Sequence, residues 1–292
     1  LGAYGTVRRS TGAVAIEPAR LALQKLSASF SETSRLAAKL EMRFTGGPLP
    51  YRLTGDYALN DFDVGKLFKA LDSTKPPTIE GFFTVNGRLS GNGETTQRAL
   101  DRIHGDFQLT SRQGIFRGLA RTSNKVSMTS KAVELGASVL GSIFGSEKAT
   151  KTAEKVAGQA YFVDQLAQSM GELNYDLLSV RLSRDELLNM NLEEIGLVSP
   201  ELRLTGSGTV TYEAGKPLLE QPLTASLSLA ARGKTEELLG KIRVLDGTKD
   251  ELGYAKTKEA VTLKGTLAKP DPTAFFTRIA TAKLSEFLDS SQ

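Results

Sequence analysis

Few side chains in this chain are arranged as a reactive site would need. The single histidine, His104, stands just before Gly105, at the end of a predicted short helix. No serine or aspartate motif points at it, and the strained Gly-x-Ser-x-Gly turn of a serine hydrolase is absent. A histidine in this place is typical of a C-terminal helix cap. With no cysteine in the chain, disulfides, thiolate catalysis and zinc–cysteine sites are excluded.

Three aspartates resemble half of a calcium-binding loop. They are Asp56, Asp61 and Asp63, but the next glycine is Gly65 and no glutamate occupies the final bidentate position. Turn and helix-capping chemistry explains these aspartates better.

Two glycine pairs invite comparison with a dinucleotide-binding loop. Gly91-Asn92-Gly93 and Gly206-Ser207-Gly208 both lack the third glycine, and neither belongs to a βαβ unit. Both pairs therefore predict turns or strand kinks. The sequence indicates a protein that is not an enzyme, with no catalytic residue, no metal site and no cofactor.

The charge of the chain gives little reason to expect a nucleic-acid partner. The formal net charge is +4, the lysines and arginines are dispersed, and Arg8-Arg9 is the only basic doublet. A nucleic-acid site usually concentrates these residues on one stripe with aromatic neighbours. Weak attraction to anionic lipid headgroups is compatible with this charge. The chain has no stretch of 18 apolar residues, and its start at Leu1 without a leader favours a fragment of a longer protein.

A short sequence signature typical of a strand recurs four times, and it indicates more about the fold than the polar residues indicate about chemistry. An apolar residue, a polar one and a glycine follow one another within period-2 alternation, which predicts strands with one apolar face. Repeated units of this kind usually stack side by side, because none can bury its apolar face alone. The four copies are Leu53-Thr54-Gly55, Val85-Asn86-Gly87, Leu204-Thr205-Gly206 and Leu263-Lys264-Gly265.

Alternation of this kind predicts a mainly β fold: an extended, mostly antiparallel, repeat-like sheet folded over a groove, with short amphipathic helices. Residues 1–124 form a first β region, 125–172 a helical insertion, and 173–292 a second β region with a C-terminal helix. Asp63 is the expected N-cap of a helix over 64–71. One continuous sheet and two subdomains both fit this division.

The apolar positions of the strands are the candidate groove, although a closed core would show the same alternation. These candidates are Phe83, Val85, Leu89, Phe107, Leu109, Leu204, Val210, Leu227, Leu229, Leu263 and Leu267. A second set, on the C-terminal helix, is a candidate cover or docking element. It could cap an open sheet end, lie on a membrane surface or pack on its own sheet. It comprises Phe275, Phe276, Phe287 and Leu288.

The segment 76–119 resembles the C-terminal region of the AsmA-like family of bacterial envelope proteins. It runs from Pro76-Pro77-Thr78-Ile79-Glu80-Gly81 through a strand ending in Gly91-Asn92-Gly93 and a short helix to a strand closing on Gly118-Leu119. Residues 195–210 resemble the later strands of the family, and so does the ending 263–272. The resemblance covers about residues 50–120 and 173–275 and consists of structural motifs.

The resemblance implies a periplasmic protein, anchored in the inner membrane through an N-terminal segment absent from this chain. Its apolar groove would hold lipid acyl chains during phospholipid transport or outer-membrane assembly, without enzymatic activity. An alternative is a periplasmic scaffold module that binds a protein partner of the envelope.

Overall fold

One open antiparallel sheet accounts for most of the computed structural model, which describes residues 8–71, 73–74, 76–119, 165, 168–241 and 243–275. The mainly β class predicted from the alternation is therefore confirmed. The fifteen strands are β1 Arg9–Glu17, β2 Arg20–Ser29, β3 Arg35–Phe44, β4 Tyr51–Asp63, β5 Ile79–Gly93, β6 His104–Phe116, β7 Leu173–Tyr175, β8 Leu177–Arg184, β9 Met190–Val198, β10 Leu202–Val210, β11 Leu223–Ala231, β12 Leu245–Lys249, β13 Ala255–Thr257, β14 Val261–Gly265 and β15 Pro270–Asp271.

Neighbouring strands of the sheet are mostly neighbours in sequence. The order is β1-β2-β3-β4-β5-β6-β8-β9-β10-β11-β13-β12, with β14 beside another part of β11, β15 beside β14, and β7 beside β6. Strand β6 precedes the long 120–164 stretch and pairs with β7 and β8, which follow it. The two β regions predicted on either side of the insertion thus share one continuous sheet.

Three short α-helices lie among the described strands: α1 Val64–Leu71, α2 Thr96–Asp101 and α3 Gly233–Lys241, together with a 3₁₀ turn at Leu218–Glu220. Helix α1 has the predicted bounds, and the short helix predicted before His104 is α2. The Asp63 carboxylate accepts a hydrogen bond from Lys66 N at 3.2 Å. Thr95 caps α2 in the same way, through Arg98 N. Nearly all of the predicted helical insertion, and Phe276, Phe287 and Leu288, lie outside the described residues.

The buried core is concentrated in the later strands. A large apolar cluster links β5, β6 and β8–β11 with β14, α3 and Phe275, whereas a small second cluster lies under α2. Thr78 Oγ1, just before β5, donates a hydrogen bond to Ala268 O at 2.5 Å, in the turn after β14. Five strands of the sheet path separate β5 from β14, so this part of the sheet folds back on itself.

A salt-bridge cluster also joins the first β region to Glu172, the residue immediately before β7. Arg117 Nη1 contacts Glu80 Oε1 at 2.7 Å, and Arg117 Nε contacts Glu172 Oε2 at 2.9 Å. Desolvation alone would lower the pKa of Arg117, but the two carboxylates outweigh it and the pKa is raised. The guanidinium also donates to Pro77 O, which fixes the segment that leads into β5.

Candidate functional site

The candidate site is the apolar face of the sheet, and the strand register shows that it is continuous. Residues paired across antiparallel strands point to the same side, so each register row crosses the sheet on one face. The row that crosses the middle of β4, β5, β6, β8 and β9 contains Leu59, Val85, Leu109, Val180 and Ile195. The other candidates on strands fall in phase with this row. Leu267 does not lie on a strand, contrary to prediction, because β14 ends at Gly265.

Glycines of the repeated signature lie on this face where a neighbouring side chain needs room. Gly87 lies between Tyr57 and Phe107 in register, and the rings of these two residues approach to 6.2 Å between centroids. Gly55 leaves room for Leu40, and Gly206 for Leu227. Gly265 differs, since it ends β14 with a φ of +100° and has a turn role.

Most of the predicted groove residues form a packed core in the structure. Phe83, Leu204, Val210, Leu227, Leu229 and Leu263 are buried, and Val85, Leu109 and Leu267 pack against the same cluster. Leu89 belongs to the smaller cluster under α2, and Phe107 contacts Tyr57. Phe275 is buried in the large cluster, whereas its three predicted companions on the C-terminal helix are not described.

The open part of the apolar face lies on β1–β3, where the sequence patterns named no candidate. Ile16 is 81% exposed, Val14 58%, Phe44 44% and Leu21 39%. Val14 and Ile16 pair with Leu23 and Leu21, which pair in turn with Leu40 and Met42 on β3. Since Leu40 and Met42 pair with Gly55 and Leu53 of β4, the exposed rows continue directly into the buried ones.

A β-bulge in β2 interrupts the period-2 alternation, so the alternation alone does not predict this apolar surface. The apolar positions of β2 change phase, from Leu21 and Leu23 to Leu26 and Ala28. The register shifts between Leu23 and Leu26, and Lys25 has a φ of 52°, so the extra residue keeps Leu26 on the apolar side. The change of phase around Gln24-Lys25 is the sequence signal that could have predicted this bulge, and with it the apolar face of β2.

The opposite face of the sheet is polar and charged. One register row there reads Lys39, Asp56, Arg88 and Asp106 across β3–β6, and Arg88 Nε lies 3.4 Å from Asp56 Oδ1. Cross-strand charges of alternating sign support the pairing of exposed strands. This face is therefore a solvated surface, in contrast to the apolar one.

The histidine considered for chemistry has structural partners. His104 begins β6, two residues beyond the C-cap Arg102 of α2, so it is not the C-cap residue itself; its Nε2 lies 2.9 Å from Ser90 Oγ and its Nδ1 lies 3.1 Å from Arg102 O. Both glycine pairs lie within strands, and the β10 pair coincides with a register shift against β9. The described residues contain no group of three or more histidine, aspartate or glutamate side chains placed to hold a metal ion.

Comparisons with known proteins do not assign a family. No family model, no curated protein and no solved structure matches this chain. Among the described residues, no helix is long and apolar enough to cross a bilayer.

Proposed function

We propose that this protein carries lipid acyl chains on the apolar face of its sheet. It acts without catalysis, in phospholipid transport or outer-membrane assembly in the bacterial envelope. The observation that carries the proposal is the continuity of the apolar face, from a closed core at β5–β14 to an exposed surface at β1–β3. The resemblance to AsmA-like proteins supports the proposal independently, and the proposal includes a periplasmic location.

The physical argument rests on contiguity. Single exposed apolar side chains are ordinary on soluble proteins, but larger contiguous patches mark binding surfaces. Val14, Ile16 and Leu21 lie on two paired strands and continue into half-buried Leu23 and Leu40. Covering one such side chain with an acyl chain gains about 1.5–3 kcal/mol, so occupation by lipid is favourable.

The decisive experiment is mass spectrometry of lipids extracted from gently purified protein, compared between two charge variants of β1. Ile16→Glu places a carboxylate on the apolar face, and Ala13→Glu places one on the polar face of the same edge strand. We expect both variants to fold, Ile16→Glu to lose most co-purifying phospholipid, and Ala13→Glu to retain it. A folded Ile16→Glu protein with the lipid content of the unmodified chain would contradict the proposal.

A second candidate function is that of a scaffold module that binds an envelope protein. The observation that favours it is the edge of β1, which within the described residues pairs only with β2. A free strand edge can pair with an extended segment of a partner. A stoichiometric protein partner, purified together with a lipid-free chain, would favour this alternative.

A further inference from the structure

One arginine lies on the apolar face itself. Arg184 ends β8 and occupies the register row of Leu89, Gly105 and Met190. Gly105 leaves that row without a side chain between Leu89 and Arg184, and Met190 on the other side is buried. The arginine is half-buried at the rim of the face, where β8 turns toward β9.

The hydrogen-bond partners of this guanidinium are backbone carbonyls, which carry no formal charge. Arg184 Nη1 donates to Ile103 O at 2.9 Å and Nε donates to Leu188 O at 3.3 Å, which uses two of its five N–H groups. No ion pair joins Arg184 to a carboxylate in the described part of the chain. The nearby Asp185 carboxylate instead accepts from Asn189 N at 2.8 Å and Asn189 Nδ2 at 3.3 Å.

Other partly buried arginines of this protein have carboxylate partners. Arg117 contacts Glu80 and Glu172, Arg20 contacts Glu41 and Glu17, and Arg203 contacts Asp250. Those carboxylates raise the pKa of Arg117 and Arg20. Burial lowers the pKa of Arg184, and electrostatic interactions with Tyr212 and Asp185 oppose this only in part. A half-buried cation without a paired anion is costly, and the cost is recovered when an anion binds.

We propose that Arg184 binds the phosphate of a lipid whose acyl chains lie on the adjacent apolar face. The inference rests on the proposed function and adds the headgroup chemistry to it. The free N–H groups of Arg184 provide a planar donor set for phosphate oxygens. The register row of Arg184 and Leu89 continues through Gly55 to Leu40, Leu23 and Val14 of the open apolar surface. One face therefore holds both the cation and the apolar surface that an anionic amphiphile needs.

The test compares two short-chain lipids that differ in the phosphate-bearing headgroup. Dioctanoyl phosphatidylglycerol and dioctanoylglycerol are titrated calorimetrically below their critical micelle concentrations. We expect the unmodified protein to bind the phosphatidylglycerol at least about tenfold more tightly, and Arg184→Gln to remove that preference without weakening dioctanoylglycerol. Arg102→Gln is the matched control, because Arg102 is an exposed arginine at the same end of the sheet, and it should keep the preference.

The outcomes separate this inference from the proposed function. Unchanged phosphatidylglycerol preference in Arg184→Gln, with both lipids still bound, overturns the headgroup site and leaves the acyl-chain proposal standing. Failure of the unmodified protein to bind either lipid overturns the proposed function. If inorganic phosphate then still shifts the Arg184 Nε resonance, the site binds free phosphate and the lipid assignment is wrong. The same resonance, followed in the unmodified protein, tests the site if Arg184→Gln does not fold: a shift on adding phosphatidylglycerol but not dioctanoylglycerol supports it.

Discussion

Gly206 lies at a place on β10 where the neighbouring strand leaves no room for a side chain. A Cβ there would overlap Ser226 O and lie 2.9 Å from Leu227 Cα, both backbone atoms of β11. We therefore expect Gly206→Ala to lower the free energy of unfolding by about 1–3 kcal/mol, as overpacking does. Urea denaturation measures the change.

Gly196 on β9 is the matched control for this substitution. A Cβ at Gly196 would lie 3.9 Å from Ser179 O, its nearest neighbour. Gly196→Ala should therefore be neutral, or slightly stabilising because alanine restricts the unfolded chain. Equal destabilisation by both substitutions would show that close approach of β11 is not what requires glycine at position 206.

Tyr175 is the residue on which the hydrogen bonds between β5, β6 and β7 converge. Its buried hydroxyl donates to Glu80 O at 3.0 Å and lies 2.9 Å from Ser111 Oγ. Burial raises the pKa of Tyr175, and the hydrogen bond with Ser111 opposes this only in part, so the hydroxyl remains a donor. Tyr175→Phe leaves two buried polar groups without this partner, and we expect a loss of about 1–3 kcal/mol in unfolding free energy.

The exposed Tyr212 provides the comparison for Tyr175. Its backbone N donates to Asn189 Oδ1, and no hydrogen bond of its hydroxyl is found among the described residues. Tyr212→Phe should leave the denaturation midpoint within error of the unmodified protein. If the two substitutions cost the same, the Tyr175 hydroxyl contributes nothing specific to the junction.

The β2–β3 pair should lose stability in acid because of Glu41. Hydrogen bonds from Arg20 and then Arg43 lower the pKa of the Glu41 carboxyl from its ordinary value of 4.5, although desolvation opposes them. A carboxyl with a lowered pKa in the folded state adds stability above pH 4.5, and this is lost as pH falls through the folded pKa. Glu41→Gln should therefore lower the Tm at pH 6 and leave it nearly unchanged at pH 3.

Glu32 is the control for the acid effect, because it is exposed and forms no ion pair within the described residues. Glu32→Gln should follow the unmodified protein at every pH between 3 and 6. A Glu41→Gln protein whose Tm differs from that of the unmodified chain by the same amount at pH 3 and pH 6 would contradict the assignment.

Elements with strong local patterns were predictable, and those defined by distant contacts were not. Helix α1 has both its N-cap and its apolar stripe within one short segment. Helix α3 has only Leu238 and Leu239 as large buried residues, and Glu201, 34 residues earlier, accepts hydrogen bonds from Thr235 N and Oγ1 at its start. Helix α3 therefore could not be predicted from the residues of its own segment.

At the scale of the whole molecule, alternation predicts which side chains share a face but not which of them are covered. Leu227 and Leu26 both occupy apolar positions, yet Leu227 is fully buried and Leu26 is only half-buried. Whether an apolar side chain is covered depends on how the sheet folds back on itself. That folding depends on distant contacts, since the Thr78–Ala268 hydrogen bond joins residues 190 positions apart. The groove candidates taken from sequence therefore lie mostly in the core, and the exposed surface lies on strands that the sequence patterns did not single out.

Because apolar side chains are buried on the later strands and exposed on the first ones, we expect local stability to differ between these strands. Core strands open only on global unfolding, whereas strands with few buried apolar contacts open at lower cost. Strand β11 is buried along one whole face, whereas β1 has no buried residue. In amide hydrogen exchange we therefore expect β9–β11 to be the slowest region and β1–β2 to exchange orders of magnitude faster.

Added lipid turns the same measurement into a test of the open apolar face. Acyl chains on β1–β3 would stabilise those strands by mass action and slow their exchange, whereas β9–β11 already exchange at the global limit and would change little. Slowing confined to β9–β11 would place the lipid in the closed part of the fold. Uniform protection of all strands in the lipid-free protein would show that the first strands are as stable as the core, contrary to their exposure.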